Sequence, residues 1–332
     1  MRTVTLGKDL AVGAVGLGCM GFSHAYGPAT GEREAARLIR EAYYMGYRFF
    51  DTAEVYGTAE DPHVNERIVG EALHGLRSDV VIASKFGVGF DKTSGTYPYP
   101  IVPDSRPETI RKSVEGSLKR LRTDHIDLYF QHRIDPKVEP EAVAQVMADL
   151  IREGKITHWG ISEANEGYLR RANAVCPVTA IENRYSMMVR RHAALFPALR
   201  ELNIGFVAFS PMANGFLTGA YGKGQRFDAA SDYRASMPQF TDAAVEKNGA
   251  LLELLADTAS RHNATPAQIS LAWMMDRPEH VVPIPGSRKP ERMRENLAAA
   301  EVNLGAEEIR ELDRALEGMD MSAVFGGSEV KA

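Results

Sequence analysis

Four side chains that can hold or transfer a proton stand at or close behind the polar ends of short apolar runs. Asp51, Lys85 and His132 each follow such a run, and Tyr56 comes shortly after Asp51. Reduction of a carbonyl places a hydride on carbon and a proton on oxygen, so it needs a well-placed acid. A carboxylate, a phenol, an ammonium and an imidazole at neighbouring strand ends would suit that reaction with a nicotinamide cofactor.

The chemistry of each group predicts its role. A phenol is a weak proton donor at neutral pH, and a nearby cation lowers its pKa by favouring the phenolate. We therefore predict that Tyr56 is the acid and that Lys85 tunes its pKa. Asp51 would keep a partly buried lysine charged. His132 would donate a hydrogen bond to the substrate oxygen or relay the proton.

Each of these residues has an ordinary interpretation when it is considered alone. An Asp after a strand often caps a loop or a helix, and Tyr56 could be an aromatic at the rim of a cleft. Lys85 could be a surface lysine and His132 a loop histidine with its hydrogen bonds satisfied. Spacing alone leaves both interpretations open, although four coincidences at successive strand ends favour the catalytic one.

Composition excludes several classes of protein. The 332 residues are 44% hydrophobic and 25% charged, which is typical of a folded chain with a large core. The net charge of −5 gives no general attraction to nucleic acid or anionic lipid. Cys19 and Cys176 are far apart and outside any CxxC pair, so neither a disulfide framework nor a cysteine-based zinc site is expected. No long apolar segment occurs, and we expect a soluble, cytoplasmic protein.

Apolar runs alternate with helical patterns along the chain. The runs predict eight strands that begin near Val15, Arg48, Val80, Ile126, Ile156, Val178, Ile204 and Val281. This alternation indicates a parallel sheet, and the glycine-rich residues 16–21 lack the GxGxxG spacing of an open dinucleotide-binding sheet. We therefore predict an α/β fold, a (β/α)8 TIM barrel that forms one domain over 1–332. Its active site would lie at the carboxyl ends of the strands.

Other segments lie outside the eight repeats. Residues 4–12 predict an N-terminal β-hairpin with a turn at 7–9. The long stretches 87–105 and 212–239 predict active-site loops, since loops of this length on a compact domain are usually functional. Together with Tyr26 and 187–188, these loops are expected to set substrate specificity.

Three helices have clear sequence signals. Apolar residues follow helical spacing over 35–43 and again over 110–121. Ser105 and Glu108 have the spacing of a capping box before the second stripe. Thr265-Pro266 predicts the start of another helix, with proline at its first position.

Longer runs resemble the signatures of the aldo-keto reductase superfamily over nearly the whole chain. Residues 46–57 resemble its first signature and 117–132 its central one. Residues 209–219 and 284–296 resemble its pyrophosphate-covering and adenosine-phosphate segments. The run 162–164, Ser-Glu-Ala, is most similar to the bacterial and plant branch that contains perakine-reductase-like enzymes.

The resemblance implies a (β/α)8 barrel that binds NADPH/NADP+ without a Rossmann domain, acts on a small carbonyl substrate, and needs no metal. It also implies a catalytic tetrad of Asp51, Tyr56, Lys85 and His132. Ser162 would hydrogen-bond the nicotinamide carboxamide. The residues placed against the cofactor are Met20, Gly21, Asp51, Ser162, Glu182, Phe209, Ser210, Pro211, Met212, Gly215, Leu217, Gly286, Ser287, Arg288, Arg292, Glu295 and Asn296.

Several positions depart from the family pattern. Glu163 replaces the usual Asn beside the serine, and Glu182 replaces a Gln that holds the same carboxamide. A carboxylate can accept from an amide NH2 but cannot donate to its C=O unless it is protonated. Either both glutamates turn away, or the nicotinamide is held differently. Phe209 keeps the stacking ring of the usual Tyr and lacks its hydroxyl.

A local basic group contrasts with the acidic chain. Arg288, Lys289, Arg292 and Arg294 surround a predicted helix start near Pro290. A 2′-phosphate is a compact dianion that arginine binds in bidentate fashion, and a helix N-terminus adds backbone donors. The alternative is a solvated basic face at a helix start.

Two other functions compete with an NADPH-dependent reductase. One is a regulatory module that binds NADPH and turns over slowly, against which the complete tetrad argues. The other is a metal-dependent barrel hydrolase. Such sites need clustered His and carboxylate ligands, and His132 and His158 are the candidates, without any HxH pair.

Overall fold

The strands alternate with helices as the sequence predicts. The structure is a computed structural model that describes residues 2–96, 99–277, 281–321 and 324–325. Its strands are β1 (Thr3–Leu6), β2 (Leu10–Gly13), β3 (Leu17–Gly18), β4 (Phe49–Asp51), β5 (Val81–Phe86), β6 (Val88–Phe90), β7 (Ile101–Pro103), β8 (Ile126–Gln131), β9 (Ile156–Ser162), β10 (Ala180–Arg184), β11 (Gly205–Phe209) and β12 (Val281–Pro283). Its α-helices are α1 (Glu32–Met45), α2 (Val64–Leu73), α3 (Pro107–Leu121), α4 (Pro140–Arg152), α5 (Glu166–Val175), α6 (Phe196–Leu202), α7 (Asp242–Lys247), α8 (Gly249–Arg261), α9 (Pro266–Met275), α10 (Pro290–Ala298) and α11 (Ala306–Glu317).

Eight parallel strands curl into the predicted (β/α)8 barrel. Their hydrogen-bonded order is β3-β4-β5-β8-β9-β10-β11-β12, and all eight sequence-predicted strands are confirmed. Backbone hydrogen bonds join the two ends of this sheet: Gly16 N donates to Pro283 O at 3.0 Å, and Gly18 N donates to Pro285 O at 3.3 Å. The predicted N-terminal hairpin is confirmed as β1 and β2. Its Leu6 packs against the side chains inside the barrel.

The glycines near residue 16 serve the seam between the first and last strands. A Cβ on Gly18 would lie 2.7 Å from the carbonyl oxygen of Ile284, and one on Gly286 would lie 2.7 Å from the carbonyl oxygen of Gly18. Real side chains do not approach backbone so closely. The glycine-rich stretch that does not fit a dinucleotide fingerprint is therefore explained by barrel closure.

Replacing a seam glycine should destabilise the whole barrel. For Gly18→Ala we expect a loss of about 1–3 kcal/mol in the free energy of unfolding, because the added methyl group overpacks a rigid backbone contact. Gly249→Ala is the matched control, since a Cβ there meets open space and alanine is the better helix former. Urea unfolding of both variants would measure the difference. Equal stability of Gly18→Ala and the unmodified chain would contradict this account.

Alternation along each strand separates the barrel interior from the helix layer. The interior is filled by an apolar cluster that includes Phe49, Ala83, Phe130, Ala180 and Val207. Side chains two positions further along a strand point to the same side. At the carboxyl end, the next interior positions of β4, β5 and β10 are therefore Asp51, Lys85 and Glu182.

The helix signals of the sequence are confirmed in part. The stripe over 35–43 and the Thr265-Pro266 start are confirmed by α1 and α9. The capping box predicted from Ser105 and Glu108 is wrong. The N-cap of α3 is Arg106, and Ser105 stands one position earlier, where its Oγ accepts from Gln131 Nε2 at 2.9 Å. Among the helices of the described residues, none is long and apolar enough to cross a membrane.

The two predicted loops contain local structure. The stretch 87–105 is not a plain loop, because β6 and β7 pair antiparallel within it. Its residues 97 and 98 lie outside the described residues. The two ends of the predicted domain, residue 1 and residues 326–332, also lie outside them. In 212–239 the chain forms short 3-10 turns and joins Tyr26 through a backbone bridge at Asp232. Residues 187–188, expected to contact substrate, are instead fully buried in the core.

Candidate active site

The structure brings the four predicted catalytic side chains together. Asp51 ends β4, Lys85 lies in β5, His132 directly follows β8, and Tyr56 stands in the loop after β4. Lys85 Nζ donates to Asp51 Oδ1 at 2.5 Å and lies 4.9 Å from the centroid of the Tyr56 ring. The rings of Tyr56 and His132 meet edge to face, with centroids 5.6 Å apart. These side chains form one cluster at the carboxyl end of the barrel.

A polar network fixes the loop that carries Tyr56. Ser23 Oγ donates to the carbonyl oxygen of Tyr56 at 2.6 Å and accepts from Asn65 Nδ2 at 2.6 Å. From the other side, Gly87 N donates to Glu54 Oε1 at 3.0 Å. Sequence reasoning did not find Ser23 or Asn65. The available signal was two polar residues, Asn65 and Glu66, beside the apolar stripe of α2.

Lys85 is a buried and fully paired cation. Its side chain is 1% exposed, and it contacts Asp51, Glu182 and the carbonyl oxygen of Thr52. Burial favours the neutral amine, but the carboxylates of Asp51 and Glu182 outweigh it and hold the pKa of Lys85 above its usual range. The lysine therefore stays charged, and the predicted support by Asp51 is present.

Tyr56 is a phenol at neutral pH. Burial raises its pKa, the charge of Lys85 opposes that effect, and Asp51 and Glu182 add to it. The net direction is upward. The pKa-lowering influence of Lys85 that the sequence predicts is therefore present, but it is smaller than the cost of burying a phenolate.

His132 is neutral in this surrounding. Burial lowers its pKa well below the usual range, and the cations Lys85 and Arg133 add to that effect. Its Nδ1 is buried without a hydrogen-bond partner among the described residues. A neutral imidazole keeps one N–H, so His132 can donate a hydrogen bond to a substrate oxygen without carrying charge.

Comparisons with known proteins agree with this geometry. The profile described as the Aldo/keto reductase family matches residues 14–317. The chain belongs to the aldo-keto reductase family. It is 37% identical over 330 residues to the "Probable aldo-keto reductase 1" of Glycine max, covering 98% of this chain and 91% of that protein.

Solved structures of other aldo-keto reductases share the fold. The glycerol dehydrogenase AKR11B4 from Gluconobacter oxydans has a TM-score of 0.84 at 27% identity, covering 95% of this chain and 94% of that one. The aldo-keto reductase AKR11C1 from Bacillus halodurans, in its holo form, has a TM-score of 0.75 at 25% identity, covering 98% and 97%. This aldo-keto reductase is therefore an oxidoreductase of the carbonyl-reducing kind.

The two glutamates that depart from the family pattern behave differently. Glu163 turns to its neighbours: its carboxylate accepts from the backbone N of Arg184 at 3.1 Å and from Arg191 at 3.3 Å. Glu182 points into the barrel and pairs with Lys85 at 3.2 Å. Its second oxygen, Oε2, is buried without a partner in the described part of the chain. The hydroxyl of Ser162, beside them, accepts from Arg133 at 3.2 Å.

Arg184 is a further cation at the barrel mouth, and the sequence analysis did not predict it. Arg184 stands two positions after Glu182 on β10, so both side chains share the interior face. Its guanidinium lies over the ring of Phe209 at 5.0 Å and over that of Phe325 at 4.7 Å. Strand alternation alone would have identified it. The ring predicted to stack on nicotinamide thus contacts Arg184 in this structure.

The segment predicted to cover the pyrophosphate follows β11. Ser210 has a positive φ of 51°, and Gly215 has one of 99°; both bend the chain over the strand end. The carbonyl oxygen of Met212 accepts from the N–H groups of Gly215 and Leu217. The Leu217 side chain is fully buried in the core, so only its backbone could line a cofactor. Pro211 O accepts from Ser270 at 3.5 Å.

The basic group surrounds the start of α10, as predicted. Arg288 donates to the carbonyl oxygens of Pro28 and Tyr26, at 2.6 and 2.5 Å. Arg292 pairs with Glu295 at 2.6 Å with its side chain 44% exposed. Arg292 is therefore accessible to a phosphate, whereas Arg288 is engaged in holding a loop.

The remaining predicted cofactor residues are distributed around the mouth. Ser287 Oγ accepts from the N–H of Lys289 just before α10, and Asn296 is buried within that helix. Met20 and Gly21 form a 3-10 turn after β3. Gly286 lies at the barrel seam described above. Met20 and Gly21 thus follow the carboxyl end of β3, and Gly286 and Ser287 follow that of β12.

The histidines proposed as metal ligands do not meet. His158 on β9 pairs with Asp9 of the hairpin turn at 3.0 Å. Its register partner on β8 is Leu128. His132 lies four residues after Leu128, which at the rise of a β-strand places it about 13 Å from His158. In the described ranges, no group of three or more His, Cys, Asp or Glu side chains is placed to hold a metal.

Proposed function

We propose that this aldo-keto reductase reduces small aldehydes or ketones to alcohols with NADPH, and that Tyr56 is the general acid. The observation that carries this proposal is the convergence of Tyr56, Lys85, Asp51 and His132 at the barrel mouth. When bound, the nicotinamide would supply a hydride to the carbonyl carbon. The chain supplies the proton: Tyr56 gives its hydroxyl proton to the carbonyl oxygen.

The other residues support that proton transfer. Neutral His132 orients the carbonyl oxygen by donating a hydrogen bond. Charged Lys85 stabilises the phenolate that remains on Tyr56 once its proton has left. Asp51 keeps Lys85 in place by an ion pair that excludes water, since both side chains are at most 4% exposed.

The hydrogen-bond donors at the start of α10 suit an anionic dinucleotide. No side chain caps the N-terminus of α10, Pro290 occupies its first position, and Arg292 is accessible in its first turn. Backbone donors at a helix N-terminus and a guanidinium are the groups that bind phosphate. These features support NADPH over NADH.

Substitution of Arg292 should separate the two cofactors. Losing one charge-assisted hydrogen bond to a 2′-phosphate costs about 1.5–3 kcal/mol, or roughly 10–150-fold in Kd. We expect Arg292→Ala to weaken NADPH binding by that factor and to leave NADH binding unchanged, as measured by fluorescence titration. Arg294→Ala is the matched control, because Arg294 on the same helix faces Glu41. An unchanged NADPH-to-NADH ratio would show that the basic group is a solvated face.

A turnover assay tests the reaction itself. The protein should oxidise NADPH when a generic aromatic aldehyde is added, with loss of absorbance at the nicotinamide band. Tight NADPH binding without turnover of any aldehyde or ketone would instead support the regulatory module considered from the sequence.

A further inference from the structure

Glu182 is a third charged group at Lys85. Its Oε1 lies 3.2 Å from Lys85 Nζ, and its side chain is 2% exposed. Asp51 and the carbonyl oxygen of Thr52 contact the same nitrogen, at 2.5 and 3.0 Å. The ammonium thus donates to Asp51 and Thr52, forms an ion pair with Glu182, and also hydrogen-bonds the Tyr56 side chain. Two buried carboxylates therefore share one buried cation.

We propose that Glu182 is a positioning residue that shares Lys85 with Asp51 and keeps Tyr56 in its phenol form. The site then stays competent for carbonyl reduction at pH values where a site with one carboxylate would have lost the phenol proton. This inference rests on the proposed function, because it takes Tyr56 as the proton donor. Reduction consumes the phenol proton, whereas alcohol oxidation needs the phenolate to take that proton back.

The charge balance gives the direction of the effect. Lys85 favours the phenolate of Tyr56, and each carboxylate opposes it. These groups are buried, so solvent and salt screen their interactions weakly. Burial raises the pKa of Glu182 to about 8, with Asp51 adding to the rise and Lys85 opposing it. As pH increases, Glu182 gives up its proton before Tyr56, and the new negative charge disfavours the phenolate.

The groups around Glu182 leave Lys85 as its close cationic partner. On the neighbouring strands of the sheet, its register partners are Ser162 on β9 and Val207 on β11, neither of which is ionisable there. Across the barrel it faces Lys85, Asp51 and Tyr56, and His132 and the buried thiol of Cys19 lie near Lys85. Arg133 contacts Ser162, the neighbour of Glu182 on β9. Arg184 follows on the same face of β10. Glu182 and Asp51 also form a side-chain hydrogen bond with each other, so a proton held by Glu182 is shared with Asp51.

The pH profile of Glu182→Gln tests the proposal. Glutamine has the same shape and cannot ionise, so the ammonium would keep one carboxylate. One added or removed charge at this range shifts a pKa by about one unit or more. We expect the alkaline loss of kcat/KM for reduction, and the alkaline rise for alcohol oxidation, both to move to lower pH by about one unit. A purely structural effect would lower the rate equally at every pH.

Glu163→Gln is the matched control, because Glu163 lies at the next strand end and contacts Arg184 and Arg191 rather than Lys85. Its pH profile should keep the position of the unmodified enzyme. Infrared difference spectra give a second measurement that does not depend on turnover. A protonated carboxyl band should disappear near pH 8 in the unmodified protein and be absent in Glu182→Gln.

Two results would overturn the proposal: an unshifted pH profile in Glu182→Gln, or a carboxyl band near pH 8 that survives the substitution. Neither result would affect the proposed function. That function would fail if Tyr56→Phe retained turnover, so the two failures can be distinguished.

Discussion

Tyr56→Phe should reduce kcat for carbonyl reduction by about 10²–10⁴-fold, which is the usual contribution of a positioned general acid. Phenylalanine keeps the ring that contacts His132 and lies near Lys85, so the surrounding packing should persist. Only the proton donor is removed. Steady-state rates with saturating NADPH and an aromatic aldehyde would measure the loss.

Cofactor binding should remain nearly intact in Tyr56→Phe. The basic residues that favour NADPH lie at α10, and Tyr56 lies in the loop after β4, so we expect Kd for NADPH to change by less than about twofold. Tyr43→Phe is the matched control, because its hydroxyl bonds Asp79 on the outer surface. Turnover of Tyr56→Phe within a few-fold of the unmodified protein would remove Tyr56 from the acid role.

The alternating pattern of the sequence was sufficient to predict the barrel, because burial of both faces of a parallel sheet requires apolar runs of strand length. The alternation of side chains along those strands explains why Asp51 and Lys85 meet. Each lies two residues after an apolar interior residue and therefore points to the same side. The same alternation would have placed Arg184 in the barrel interior, since it lies two residues after Glu182. The sequence could therefore have predicted more of the site than its motifs alone indicate.

Other features depended on contacts that no local pattern contains. Ser105 and Glu108 have capping-box spacing, yet Asp135 and Gln131 bind Ser105 and the helix begins one residue later. The pairing of Glu182 with Lys85 joins two strands on different sides of the barrel. Likewise, the support of Tyr56 by Ser23 and Asn65 joins three distant segments. Contacts between residues far apart in the chain decided each of these cases.

The ion pairs at Lys85 also predict how the fold responds to pH. In Lys85→Met, Asp51 and Glu182 would remain buried without a cation, so the pKa of each carboxyl would rise further above its value in the unfolded chain. The folded variant would then hold more protons than the unfolded one from about pH 4 upward. Its stability must therefore fall as pH rises through that window.

We expect Lys85→Met to lose about 3–5 kcal/mol of unfolding free energy at pH 8.5, where the buried carboxylates are unpaired and charged. At pH 5, where both can be protonated, the loss should be much smaller. Urea unfolding at the two pH values would measure it. Lys112→Met, on the exposed face of α3, should stay within about 0.5 kcal/mol of the unmodified protein at both. A loss in Lys85→Met that is equal at both pH values would mean that the lysine stabilises the barrel by packing rather than by neutralising Asp51 and Glu182.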